Sequence, residues 1–170
     1  DELARIGWVG PEEVGTRKMH AYYELHIEQG PILEAENKTI GVVTHGQGLW
    51  WLEVTLTGRD AHTGSTPMNL RVNAGLAMAR IFELVERVAM KHQPGAVGGI
   101  GQVQFSPNSR NVLPGTVVFT IDIRSPNQAK LDAMRAEIEA EAPKLAADLK
   151  VGCAIEAIGH FDPITFTPDL

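Results

Sequence analysis

The chain has a single cysteine, Cys153, among 170 residues. That excludes an intramolecular disulfide framework and a thiolate metal cluster, suits a reducing cytoplasm, and leaves Cys153 to act as a small apolar filler. Positive charge is also in short supply, since 15 Lys and Arg stand against 21 Asp and Glu, for a net charge of −6 with both signs mixed along the chain. Without a basic face there is nothing to meet a phosphate backbone or an anionic lipid surface, so neither nucleic acid nor membrane is expected as a partner. No apolar run approaches the roughly 20 residues that span a bilayer. Asp1-Glu2-Leu3 lacks the basic and apolar segments of a signal peptide. There is no initiator Met, and Thr165 to Leu170 brings no capping element, so the sequence is expected to be a piece of a longer protein. Apolar residues, in contrast, make up 44% of the chain, enough to fill the core of one ordinary domain with an appendage.

Periodicity divides the chain. Residues 1 to 19 read as a polar lead-in. Ala21 to Ile27 and Thr39 to Thr44 are β-prone runs, separated by Gly30-Pro31 and by one or two helical turns from Ile32. A cleaner pattern begins at Leu49, where Trp51, Glu53, Thr55 and Thr57 alternate with Leu52, Val54 and Leu56 in a strand. Pro67 can sit in a first helical turn, and Ala74, Met78, Ile81, Val85 and Val88 then recur at helical spacing. Val97 to Phe105 and Thr116 to Ile123 read as two strands around a loop rich in Asn, Pro and Ser. Ser125-Pro126-Asn127-Gln128 has the arrangement of a capping box, followed by a stripe of Leu131, Met134, Ile138, Leu145 and Leu149, with Pro143 expected to kink or break the helix. Val151 to Ile158 supplies a fourth strand. The expected fold is α+β, a ferredoxin-like β-α-β-β-α-β unit with two helices on one face of a four-stranded antiparallel sheet.

Such a fold hosts many functions. Its edge strands suit oligomerisation. Its open face could also hold RNA, but the two strands 97–105 and 116–123 offer only Phe105 and Phe119 as stacking aromatics in an acidic protein.

Four polar motifs interrupt the pattern. In Glu24-Leu25-His26-Ile27-Glu28-Gln29-Gly30-Pro31, His26 can present a nitrogen to a metal with acidic neighbours to orient it; a structural histidine is the plain alternative. In Gly58-Arg59-Asp60-Ala61-His62-Thr63-Gly64-Ser65-Thr66-Pro67-Met68, small residues around His62 leave room for a substrate whose oxyanion an imidazole could stabilise. A solvated loop histidine would look the same. Asn108-Ser109-Arg110-Asn111-Val112-Leu113-Pro114-Gly115 and Asp122-Ile123-Arg124 place amide donors and a guanidinium near the ends of one strand, groups that suit recognition of a carboxylate. A surface ion pair would serve Arg124 equally well.

These four motifs, in this order, resemble the N-carbamoyl-L-amino acid amidohydrolases, together with allantoate amidohydrolases and bacterial-type β-ureidopropionases. They belong to the wider group of dinuclear-metal aminoacylases and carboxypeptidases. Glu-Leu-His-Ile-Glu-Gln-Gly-Pro is the motif most specific to this branch. The resemblance implies residues 1–48 from a metal-binding catalytic domain, 49–160 as a lid and dimerisation domain, and 161–170 as the return. It implies His26 as a metal ligand, Gln29 as a substrate contact, and His62 as a group reaching across a homodimer to stabilise the tetrahedral intermediate. Asn111 and Arg124 would bind the substrate carboxylate, at least one of them in the neighbouring subunit's pocket. Two divalent ions, zinc, manganese or similar, would activate water in the complete enzyme. Most of their ligands fall outside this segment, so the chain alone is expected to be inactive. Two positions depart from the commoner pattern, Thr63 for Ala and Asn73 for Asp, which leaves the particular substrate open. His160-Phe161-Asp162 is expected to be structural. The competing readings are a non-catalytic oligomerisation or ligand-binding module, and a dinuclear-metal peptidase or aminoacylase.

Overall fold

A computed structural model describes residues 2–169, which fall into two units, one of residues 2–42 with 167–169 and the other Val43–Phe166. In the second unit, alternation builds the first long strand, β1 (Gly48–Thr57), with Leu52, Val54 and Leu56 fully buried. Helix α1 (Ala74–Lys91) follows, then β2 (Val97–Ser106), β3 (Thr116–Ser125), α2 (Gln128–Ala147) and β4 (Gly152–Phe161). The sheet order is β2-β3-β1-β4 and every pairing is antiparallel. This is the ferredoxin-like arrangement expected from the sequence.

One face of the sheet carries the core. Val117, Phe119, Ile121 and Ile123 of β3 join the three β1 residues against Ile81, Leu84, Val85 and Val88 of α1 and Leu131, Met134 and Ile138 of α2. Each such aliphatic or aromatic side chain contributes about 1.5–3 kcal/mol on burial, which fixes the register of β3, because a one-residue slip would turn the whole row to solvent. Phe119 meets Phe82 edge-on with ring centroids 5.6 Å apart. It therefore belongs to the core and gives RNA nothing to stack on. Cys153, on the helix-covered side of β4, packs at the core's edge, and burial raises its thiol pKa. Both edge strands are bulged: Gly101 is the extra residue in β2 and Ile158 in β4, a common device at exposed sheet edges.

Local details differ from the sequence reading in four places. Pro67 precedes a 3-10 turn, Met68–Leu70, and α1 begins only at Ala74, because the Asn73 side chain caps it by accepting from Leu76 N at 3.1 Å. The second helix is capped by Asn127, whose Oδ1 accepts from Lys130 N at 3.0 Å. Ser125 is fully buried at the end of β3 and its Oγ instead accepts from Asn127 N at 3.1 Å. The helix runs through Pro143 unbroken. Proline removes one backbone hydrogen bond there, and buried Ala142 and Ala146 hold that turn on the core. Finally, neither Ala21–Ile27 nor Thr39–Thr44 forms a strand. A strand needs a ladder partner, and among the described residues no ladder forms along these runs; a single bond, from Phe166 N to Thr44 O at 2.9 Å, reaches the end of the second. The nearest pairing is His45–Gly46 with Ile164–Thr165.

The first unit contains two one-turn helices, Glu2–Arg5 and Ile32–Ala35. The second is held by Glu28, whose carboxylate accepts from Ile32 N at 2.9 Å and Leu33 N at 3.0 Å.

Candidate active-site elements

His26 lies in the first unit, exposed, with Nδ1 2.8 Å from Glu24 Oε1 and Nε2 3.2 Å from Gln29 Oε1. Gln29 reaches it from a left-handed backbone conformation, φ 54°, uncommon for a non-glycine residue. The Gln29 hydrogen bond first, then Glu24 through hydrogen bonding and charge, raises the imidazole pKa. Tyr22 and His26 in turn hold the Glu24 carboxyl below its ordinary range. Acceptors on both nitrogens favour the imidazolium, whereas a metal ligand needs a proton-free nitrogen. No group of three His, Cys, Asp or Glu among the described residues could hold a metal ion. The donors among the described residues therefore do not make a metal site by themselves.

In the second unit, Gly58 ends β1 where a side chain could not fit: a Cβ there would stand 2.4 Å from the Val72 carbonyl oxygen. Gly58 N donates to Gly115 O at 2.7 Å, and Gly115 N donates to Asp60 Oδ1 at 2.6 Å. These bonds join the His62 loop to the Asn111 loop. Ala61 and His62 then pair with Leu113 and Val112, and Thr63 N donates to Asn111 O at 2.8 Å. His62 and Asn111 thus come from neighbouring segments at one end of the sheet, both exposed. Asn111 Oδ1 accepts from Ser109 Oγ at 2.8 Å, leaving its amide nitrogen as the donor.

The His62 ring is held by backbone. Its Nδ1 accepts from Gly64 N at 3.1 Å and from Ser65 N at 3.2 Å. In the neutral ring the proton therefore sits on Nε2, which points a donor away from the loop.

Arg124 is at the other end. It follows Thr116 by eight residues along β3, which at about 3.3 Å per residue is ~26 Å. Its Nε donates to Asp122 Oδ1 at 3.0 Å and its Nη2 to Asp122 Oδ2 at 2.7 Å. Burial pushes the Asp122 carboxyl pKa up, but the Arg124 hydrogen bonds, the Trp51 hydrogen bond and Arg124's charge together outweigh it and hold it below 3.8. Asp122 likewise raises the Arg124 pKa. Trp51 is the direct cross-strand partner of Asp122. A Cβ on Gly159 would come within 2.9 Å of the Trp51 ring, so the glycine lets the indole lie close to β4. Trp51, Arg124 and Ile158 border a groove of about 700 Å³ on the open face, floored by Gly98–Gln102. The guanidinium Nη1 has no partner among the described residues and is the edge available to a ligand.

The structure thus brings His62 and Asn111 together, places Arg124 a strand's length away, and leaves His26 and Gln29 in the other unit. Sequence reading missed Trp51, whose place on the polar phase of an alternating strand was its one signal, and Arg71. Arg71 holds the Thr63 carbonyl at 2.7 Å and the Thr66 carbonyl at 3.0 Å. His160 stacks on Trp50 with centroids 3.8 Å apart, Trp50 also carries Arg135 over its ring at 3.9 Å, and His160 Nε2 lies 3.2 Å from Asp162 Oδ1. No helix among the described residues is long and apolar enough to cross a membrane.

Residues 44–150 match the family profile described as the peptidase dimerisation domain. The chain is 79% identical over 170 residues to an N-carbamoyl-L-amino-acid amidohydrolase of Rhizobium meliloti, covering all of this chain and 41% of that protein. It is 34% identical over 173 residues to the allantoate amidohydrolase of Escherichia coli strain K12, covering all of this chain and 42% of that protein. A crystal structure of a hydantoinase/carbamoylase family amidase from Burkholderia multivorans superposes with a TM-score of 0.89 at 48% identity, over 98% of this chain and 41% of that one. The chain thus spans well under half the length of the relatives it matches.

Proposed function

From the premise that the chain belongs to the peptidase dimerisation domain family, we propose that it is the lid portion of a metal-dependent hydrolase that cleaves the C–N bond of N-carbamoyl-L-amino acids or related ureido acids such as allantoate. In this reading water attacks the ureido carbonyl, and an N-carbamoyl amino acid gives ammonia, carbon dioxide and the free amino acid. His62 donates from Nε2 to the developing oxyanion, Asn111 and Arg124 bind the substrate carboxylate, and Gln29 contacts the substrate. His26 is this chain's contribution to a centre of divalent ions, zinc or manganese. Its fellow ligands would come from outside the described residues, and the bound ions would supply the activated water. The lone, half-buried Cys153 fits a cytoplasmic setting.

The observation that carries this reading is the ~26 Å between the His62–Asn111 end of β3 and Arg124. A carbamoyl amino acid is far too short to bridge that distance, so a site using both ends has to be completed by a second copy, with His62 entering the partner's pocket. A homodimer is then a condition of activity. In a full-length enzyme carrying this lid, His62→Ala is expected to lower kcat by about 10²–10³, the usual effect of losing an oxyanion donor. An unchanged rate would remove His62 from the mechanism and favour a lid that only pairs subunits.

A further inference from the structure

The neutral His62 ring donates from Nε2 only while its Nδ1 is proton-free, and two consecutive backbone amides, Gly64 N and Ser65 N, hold that tautomer, the first of them in a peptide plane fixed from its other side. The Gly64 N–H that binds His62 Nδ1 at 3.1 Å belongs to the same peptide unit as the Thr63 carbonyl, which accepts from Arg71 Nη2 at 2.7 Å. In a trans peptide the C=O and N–H point in opposite directions, so fixing the carbonyl on one side aims the amide on the other. The guanidinium also polarises that unit, which strengthens the bond its N–H makes. Arg71 Nε binds the Thr66 carbonyl at 3.0 Å while Thr66 N donates to His62 O at 3.1 Å, so the loop is gripped on both sides of Gly64-Ser65. Gly64 itself allows the approach, since a Cβ there would stand 3.2 Å from His62 Cε1. Arg71 is in turn set by the 3-10 turn before it, its N–H donating to Met68 O at 3.4 Å, and Arg59 Nη2 secures the neighbouring Leu70 carbonyl at 2.9 Å.

We propose that Arg71 is a positioning residue that sets the tautomer of His62, acting through the Thr63–Gly64 peptide. Its effect on rate rests on the role of His62 proposed above; the tautomer itself does not. The test is long-range proton–nitrogen correlation of the histidine rings in the nitrogen-15-labelled chain at a pH where the ring is neutral, with His62 assigned by its loss in His62→Gln. Wild type is expected to show a proton-free Nδ1 and a protonated Nε2. Arg71→Ala is expected to show both tautomers in exchange while the amide signals of β1 and β3 stay in place. Where Arg71→Ala is too unstable to read, Arg71→Lys should give the same mixture, because one ammonium cannot reproduce the two-carbonyl fork. In a full-length enzyme the Arg71 variants should lose about 10²-fold in kcat, the scale of a misplaced catalytic group, with KM little changed. A protonated Nδ1 in wild type, or an unaltered tautomer in both Arg71 variants, would overturn the proposal. If the ring behaves as expected and His62→Ala keeps full rate, the clamp stands and the oxyanion role fails.

Discussion

Asp60 and Gly115 face each other so closely that the carboxylate occupies the place a side chain would take: Gly115 N donates to Asp60 Oδ1 at 2.6 Å, and a Cβ at 115 would lie 2.4 Å from that oxygen. This contact sets how near the His62 loop comes to the Asn111 loop. Gly115→Ala should push Asp60 away and cost about 1–3 kcal/mol, as overpacking does. Asp60→Ala leaves the buried Gly115 N–H without its partner, at about 1–3 kcal/mol. Both should lower the urea midpoint with an unchanged denaturant slope. If neither moves the midpoint, the loops are held elsewhere.

Adjacent residues of β3 offer a test of register. Phe119 is buried under α1 and Thr120, on the open face, lines the groove. Phe119→Ala should cost about 3–5 kcal/mol, and Thr120→Ala should stay within about 0.5 kcal/mol. Comparable losses at the two positions would mean that the sheet is covered on both faces.

Acid should loosen the Asp122–Arg124 pair in a defined direction. The folded-state pKa of Asp122 lies below its ordinary 3.8, so its contribution to stability is complete above that pH and is lost as pH falls through the ordinary value towards the folded one. The wild-type chain should therefore lose stability on acidification below about pH 4. Asp122→Asn should be less stable than wild type at neutral pH, and that difference should shrink in this window. A constant difference from neutral pH down to pH 2 would show that the pair is not coupled to folding. Both side chains are partly exposed, at 42% and 38%, so added salt should also reduce the difference.

Much of this fold was legible because its signals are local. Leu52, Val54 and Leu56 alternate on one strand and Ala74, Ile81, Val85 and Val88 recur on one helix, and each pattern is complete within its own element. The readings that failed depended on something distant. Ala21–Ile27 has strand composition without a strand to pair with. Ser125 has the chemistry of a cap, but β3 carries it into the core and Asn127 takes over. His62, Asn111 and Arg124 could be singled out as residue types in motifs, whereas the strand's length between them is a property of the fold. Arg71 left no sequence signal because it holds backbone carbonyls, which every residue has.

That separation also yields the sharpest test of how the site is assembled. Suppose two copies build each pocket, one giving Arg124 and its partner giving His62. A full-length His62→Ala chain and a full-length Arg124→Gln chain should each be nearly inactive alone, the second because hydrogen bonds to a charged carboxylate worth about 1.5–3 kcal/mol are lost. Mixed under conditions that exchange subunits, they form heterodimers in which one pocket carries both defects and the other carries neither. Random exchange would then restore about a quarter of wild-type activity, from one intact pocket in half of the dimers. If His62 and Arg124 served the same chain's pocket, every pocket in the mixture would keep a defect and no activity would return. Recovery should track the fraction of mixed dimers measured by mass, and failure to recover at a confirmed mixed fraction would rule out the shared pocket.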